Sequence, residues 1–290
     1  MKILVTGGTG YIGSHTVVEL QKNGYEVILI DNLSNSNALV IDSIEKITGT
    51  RPLLEVFDLV DQERTQAFFK EHRDLKGVIH FAARKAVGES VQNPLSYYRN
   101  NISSLLNVLE GMQYNNILNI VFSSSCSVYG NIKKMPVSED TPFQKAESPY
   151  GNTKQIAEEV IADFVNVNDI NAISLRYFNP AGGHESGLIG EAPIGIPNNL
   201  IPFITQTGIG LHKELKIFGN DYNTHDGTAI RDYIHVVDVS NAHVMVLNRM
   251  INNKMLDQLE IYNLGIGIGY SVLDVIKTFE KVSGLKLNYK

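Results

Sequence analysis

Short apolar runs recur through the first half of the chain, separated by stretches in which apolar residues return every three or four positions. Lys2–Thr6, Glu26–Ile30, Leu53–Phe57, Gly77–Phe81 and Ile117–Phe122 are the runs. Ile3-Leu4-Val5 and Val27-Ile28-Leu29-Ile30 are apolar without alternation, the pattern of strands covered on both faces. Their alternation with helical stretches predicts βαβ units and a parallel sheet. A further run, Ala172–Leu175, follows a predicted helix from Tyr150 to Asn166. Beyond Tyr177 the texture changes, with Pro180, Pro193, Pro197 and Pro202 among glycine-rich loops. Tyr177 to Pro202 therefore predicts an excursion into a second, smaller lobe. Leu215–Gly219, Ile261–Leu264 and a helix from Ser271 to Ser283 are expected to complete it.

The turn after the first strand carries the first chemical signal. Gly7, Gly10 and Gly13 form a GxxGxxG pattern between that strand and a predicted helix. Glycines there permit a tight turn and close approach of a pyrophosphate to a helix N-terminus. A plain strand-to-helix turn is the competing reading, and Asp31 weakens it. Asp31 closes the second strand, where a carboxylate accepts hydrogen bonds from an adenosine ribose. It would repel a 2'-phosphate, and Asn32 and Leu33 supply no cation, so NAD is expected rather than NADP. The expected fold is α/β, a Rossmann-like doubly wound parallel sheet over 1–176. A smaller C-terminal α/β substrate lobe would occupy most of 177–290, with the chain returning in part to the first domain.

Tyr150-Gly151-Asn152-Thr153-Lys154 places a phenol and an ammonium four residues apart, on one helix face. A nearby cation favours phenolate, so Tyr150 is a candidate acid and base, with Lys154 as its partner. Ser125 follows a predicted strand at the sheet edge where ligands bind in open α/β sheets, and would hold a substrate hydroxyl beside Tyr150. An exposed Tyr/Lys pair and a serine-rich turn are the bland alternatives.

Seven segments together carry a resemblance: VTGGTGYIGSH, HFAARKAVGES, FSSSCSVYG, SPYGNTK, RYFNPAGGH, GIPNNLIPF and FGNDYNTHDGTAIRDYIHV. In order and over essentially the whole chain, they resemble the nucleotide-sugar epimerases of the extended short-chain dehydrogenase/reductase family. The resemblance implies interconversion of UDP-galactose and UDP-glucose by transient oxidation at sugar carbon 4, rotation of the 4-keto sugar and hydride return. Tyr150 would take the 4-hydroxyl proton with help from Ser125, while Lys154 would hold the phenolate and the nicotinamide ribose. By the same resemblance Tyr11, Ile12, Asp31, Asn32, Asn35, Ser36, Asp58, Leu59, Phe81, Ala82, Ala83, Lys85, Asn100 and Phe178 would surround NAD. Asn179, Asn199, Leu200, Lys216, Ile217, Phe218 and Arg231 would hold UDP. For Arg231 a structural ion pair, and for Asn198-Asn199 a turn or cap, stay open. Ala83-Arg84 and Cys126-Ser127 depart from the family pattern. The sequence stops at Lys290, before epimerases of this kind usually end, so some phosphate and sugar contacts are expected to be missing. Dehydration is disfavoured, because Cys126 and Ser127 stand where related dehydratases carry acidic residues. Epimerases of UDP-N-acetylhexosamine or UDP-glucuronate, or a non-catalytic NAD-binding regulator, are the other readings.

Charge and composition change the picture little. A net charge of -6 without a dense basic run excludes the electrostatics of nucleic-acid binding. The eight histidines show no metal-ligand spacing, so no metal is expected. Cys126, the lone cysteine, reads as a packing residue, and the absence of a leader pattern or membrane-length apolar run predicts a cytoplasmic protein. Tyr97–Met112 and Ile156–Val165 look apolar on more than one side, which predicts a homodimer through a four-helix contact.

Overall fold

The structure is a computed structural model that describes residues 1–290. Seven parallel strands form its central sheet, in the order β3-β2-β1-β4-β5-β6-β9. They are β1 (Lys2–Thr6), β2 (Glu26–Asp31), β3 (Leu53–Val56), β4 (Leu75–His80), β5 (Asn119–Ser123), β6 (Asn171–Tyr177) and β9 (Leu259–Leu264). The apolar runs have the cause expected. On β1, Leu4 joins one core while Ile3 and Val5 join the other, and β2 divides the same way, Ile28 and Ile30 against Val27 and Leu29. Both faces are buried, so successive side chains must all be apolar.

One face is covered by α3 (Gln62–Glu71), α5 (Pro94–Asn115) and α6 (Pro149–Val167), whose Phe68, Phe69, Leu105, Val108, Met112 and Ile161 fill the larger core. The short α4 (Val87–Gln92) leads into α5 and touches α6. On the other face lie α1 (Tyr11–Lys22), α2 (Val40–Thr48) and α8 (Val236–Ile251), contributing Val17, Leu20, Ile44, Val244 and Leu247. No helix is long and apolar enough to cross a membrane.

The lobe holds a three-stranded sheet, β10-β8-β7, made of β7 (Asn179–Ala181), β8 (Ile230–His235) and β10 (Gly269–Ser271). With α7 (Leu200–Gly208) and α9 (Val272–Ser283) it closes over a small core of Ile204, Leu215, Ile276 and Leu287. Leu215 pairs with Tyr289 in an isolated parallel bridge. The expectation that Ile261–Leu264 belongs to the lobe is wrong. That segment is β9, paired with β6 from Ala172↔Leu259 to Tyr177↔Leu264, and the preceding α8 packs on α1. The chain thus leaves the sheet after β6, builds part of the lobe, returns as α8 and β9, and crosses again into β10 and α9.

Strand order reverses between β1 and β4, opening a crevice at the carboxyl ends of the strands. The lobe's β7 begins there, two residues after β6 ends.

Candidate active site

Gly7 sits at φ +66, and a Cβ on it would come within 2.9 Å of the Ala82 backbone nitrogen. A Cβ on Gly13 would stand 2.2 Å from the Gly7 carbonyl oxygen. Gly8 packs against Leu29, where a Cβ would reach 2.5 Å. The turn is stitched on both sides, Gly7 N–H donating to the Ile30 carbonyl (2.7 Å) and Phe81 N–H to the Thr6 carbonyl (3.1 Å). Gly10 occupies the N-cap of α1 with no side-chain cap, so first-turn amides face an anion site without a side-chain acceptor. A cradle that any side chain would fill, at an uncapped helix N-terminus, fits a dinucleotide pyrophosphate.

Asp31 ends β2 and organises the rim. One of its oxygens accepts from Leu33 N–H (2.9 Å) and Ser36 Oγ (3.0 Å), the other from Thr9 N–H (3.2 Å). Asn32 donates to Asp58 at 3.0 Å. Leu59 is buried, Phe81 packs on His243 at 4.6 Å, and Ala82 N–H donates to Thr6 Oγ1 at 3.2 Å. Tyr11 donates its hydroxyl to the Gly182 carbonyl at 2.7 Å. Asn100 makes no side-chain hydrogen bond on α5, whereas its neighbour Asn101, missed in the sequence, clamps the loop after β4. Its carboxamide bonds Arg84 N–H (2.8 Å), the Arg84 carbonyl (3.1 Å) and Thr153 Oγ1 (3.0 Å).

Ser148 starts α6 by accepting from Gly151 N–H at 3.1 Å, with Pro149 in the first turn. Tyr150 and Lys154 then lie one turn apart facing the crevice. Lys154 is 5% exposed; its ammonium donates to the Ser123 carbonyl at 2.6 Å and lies 4.7 Å over the Phe122 ring. Burial drives its pKa down to about 8, against an upward pull from Glu158 one turn further on. Ser125 is nearly buried and caps the turn at Cys126–Tyr129 by accepting from Ser127 N–H at 3.2 Å.

The structure does not show the expected effect of Lys154 on the Tyr150 phenolate. Burial pushes the Tyr150 pKa up, and Tyr177 adds to it, with the Ser125 hydroxyl pulling the other way. Lys154 is turned to the Ser123 carbonyl instead, and burial favours the protonated phenol.

Two groups around this pair were not singled out from the sequence. Arg176 on β6 meets Glu158 on α6 as a buried bidentate pair, 2.6 and 3.0 Å, and Ser124 also donates to Glu158. The Arg176 guanidinium lies over the rings of Tyr129 and Phe143, at 5.1 and 4.9 Å. Tyr177 shares a hydrogen bond with Ser123, and burial pushes its pKa up to about 12. Glu158 had a signal, since its i+4 spacing from Lys154 continues the Tyr150/Lys154 face.

Across the crevice, Asn179 donates to the Asp232 carbonyl at 2.9 Å, and Phe178 N–H to the Leu264 carbonyl at 3.0 Å. Arg231 makes no ion pair, bonding only the Ile230 carbonyl at 2.7 Å. It lies near enough to Cys126 to oppose the burial that pushes that thiol up to about 11, which leaves Cys126 no nucleophile. Asn199 occupies the N-cap of α7 yet does not cap it, and its side chain donates to Glu191 at 2.7 Å. Leu200 opens α7 against the lobe core. Ile217 pairs its N–H with the Lys290 carbonyl at 2.8 Å, while Lys216 and Phe218 are exposed. The lobe also gathers the adjacent His225 and Asp226 with Asp274 around the Ser271 cap of α9.

A parallel sheet with a glycine cradle at its switch point defines a dinucleotide-dependent enzyme. The chain belongs to the NAD dependent epimerase/dehydratase family, whose sequence profile matches residues 3–265. It is 49% identical to the UDP-glucose 4-epimerase of Bacillus subtilis over 291 residues, which span all of this chain and 84% of the relative. Its fold matches the UDP-glucose-4-epimerase of Stenotrophomonas maltophila, solved with bound NAD and formylated UDP-arabinopyranose. The TM-score is 0.94 at 46% identity, covering 100% of this chain and 85% of that one. The Bifidobacterium longum UDP-glucose 4-epimerase, in complex with NAD+ and UDP, gives TM-score 0.94 at 44% identity with the same coverage.

Proposed function

We propose that the protein is an isomerase that interconverts UDP-galactose and UDP-glucose with NAD as cofactor. The observation that carries this reading is the Tyr150 phenol beside the Ser125 hydroxyl in a fold whose first strand-to-helix turn is a glycine cradle, with Arg231 of the lobe close to Cys126, the residue after Ser125. NAD, when bound, supplies a hydride acceptor and donor, and the positive charge of its nicotinamide ring. Tyr150, whose phenol pKa burial raises, would take the sugar 4-hydroxyl proton and later return it, with such a positive charge nearby favouring its phenolate form. Ser125 orients that hydroxyl, and Lys154 steadies the phenolate and the nicotinamide ribose. Gly7, Gly10 and Gly13 take the pyrophosphate and Asp31 the adenosine ribose. Arg231, Asn179 and Asn199 hold UDP, so that the hexose is loosely gripped and its 4-keto form can turn over before hydride returns. The sheet body is thus assigned to the cofactor and the lobe to the nucleotide sugar.

Incubation of NAD-loaded protein with UDP-galactose tests this directly. UDP-glucose is the expected product; conversion of only UDP-N-acetylhexosamine or UDP-glucuronate would move the reading to a sister epimerase. NAD binding without any turnover would leave a regulator.

Cytoplasmic residence and a homodimer belong to the same proposal. Helices α5 and α6 pack side by side and leave Leu95, Leu106 and Val167 exposed, with Ile102, Val160 and Phe164 only partly covered. Two copies joined about a two-fold axis would bury this face. Sedimentation should show a dimer that Leu106→Glu dissociates, and a monomer for the unmodified protein at micromolar concentration refutes the assembly.

A further inference from the structure

Glu191 lies in the loop between β7 and α7, with its carboxylate only 8% exposed. One oxygen accepts from Asn199 Nδ2 at 2.7 Å and from Lys85 Nζ at 3.5 Å. Lys85 stands on the cofactor side of the crevice and Asn199 on the lobe side. Burial raises the Tyr11 phenol pKa and the same carboxylate, close by, adds to it, and the Tyr11 hydroxyl is bound to Gly182 on the segment leading to this loop. Asn199 also gives up the capping bond its position on α7 invites in order to reach Glu191. A sheltered carboxylate that draws one donor from each side is more than a surface ion pair.

We propose that Glu191 is a positioning residue that links the two halves of the site, holding the Asn199 carboxamide for the nucleotide sugar and the Lys85 ammonium for the cofactor. This rests on the proposed epimerase reading and deepens it. Freed of Glu191, each long polar side chain must be ordered when ligand binds, which weakens binding by about two- to tenfold per side chain. Chemistry at Tyr150 is not touched.

The test compares Glu191→Ala and Glu191→Gln with the unmodified protein, using titration with UDP, NAD retention and steady-state conversion of UDP-galactose. In Glu191→Ala the UDP dissociation constant and the KM for UDP-galactose should rise by about two- to tenfold while kcat stays within about threefold. Glu191→Gln keeps an oxygen for Asn199 but no charge for Lys85, so UDP affinity should recover while NAD retention stays weakened. If Glu191→Ala does not fold, the split between UDP and NAD binding in Glu191→Gln carries the test alone. Unchanged UDP affinity in Glu191→Ala, equal UDP losses in both variants, or a loss confined to kcat overturns the proposal. Protein that binds UDP without converting UDP-galactose sinks the epimerase reading while the linkage stays measurable through the titrations; no UDP binding at all sinks both.

Discussion

Lys154 connects stability to pH in a way that can be measured without substrate. Its amine is enclosed by the sheet, with the Ser123 carbonyl and the Phe122 ring as its contacts, and burial holds its folded-state pKa near 8 against 10.5 for the free side chain. At ~1.4 kcal/mol per pH unit, that gap corresponds to about 3 kcal/mol. The sign follows from proton binding. Between about pH 8 and 10.5 the unfolded chain holds the proton more tightly than the folded one, so stability contributed by this group rises with pH across that window. Below pH 8 both states are protonated and the full penalty is present. Lys154→Met removes the titration while keeping a flexible apolar chain in the cavity. Urea unfolding of NAD-free protein should therefore show the variant more stable at pH 7, with most of its advantage gone by pH 10. Taking the difference between variant and unmodified protein cancels the other lysines and tyrosines that titrate there. Parallel stability curves over the window would show that Lys154 ionises as it does in water, and the proposed burial effect would be wrong.

Tyr150→Phe should keep the fold and NAD but lose at least about 100-fold in turnover, because the ring remains and the proton acceptor does not; product analysis finding near-normal conversion would reject the assignment. Gly13→Ala places a methyl 2.2 Å from the Gly7 carbonyl, so it should cost ~1–3 kcal/mol of stability and remove NAD binding. Calorimetry with NAD and then NADP should favour NAD by well over tenfold; equal affinities would mean that Asp31 serves only the loop it already bonds.

Much of the sheet was legible because a strand buried on both faces has to be apolar at every position, as β1 and β2 are. Strand β9 was misplaced for the converse reason. It is the edge strand, all its residues are half-buried, and Glu260 and Asn263 break the run. In the site, the glycine turn and the Tyr150/Lys154 pair are local, and local spacing carries their meaning. Arg176 with Glu158, Asn101 with Arg84 and Thr153, and Glu191 with Lys85 and Asn199 are brought together by tertiary contacts, which no local pattern encodes. The electrostatics of Tyr150 were not legible, because helix spacing sets which side chains are neighbours but not where an ammonium four bonds from Cβ points.

The return of the chain through α8 and β9 has a consequence for how the molecule is made. Strand β6 finds its last partner only after the chain has run through β7, α7 and β8, since Ala172 pairs with Leu259. During synthesis from the N-terminus its outer edge stays bare, with unpaired backbone groups, until residues near 260 are released. Closing that loop is a long-range step whose entropy is lost before the ladder compensates it. The nascent sheet is therefore vulnerable to edge pairing with another chain, and its completion by β9 precedes closure of the lobe, which waits for β10 and α9.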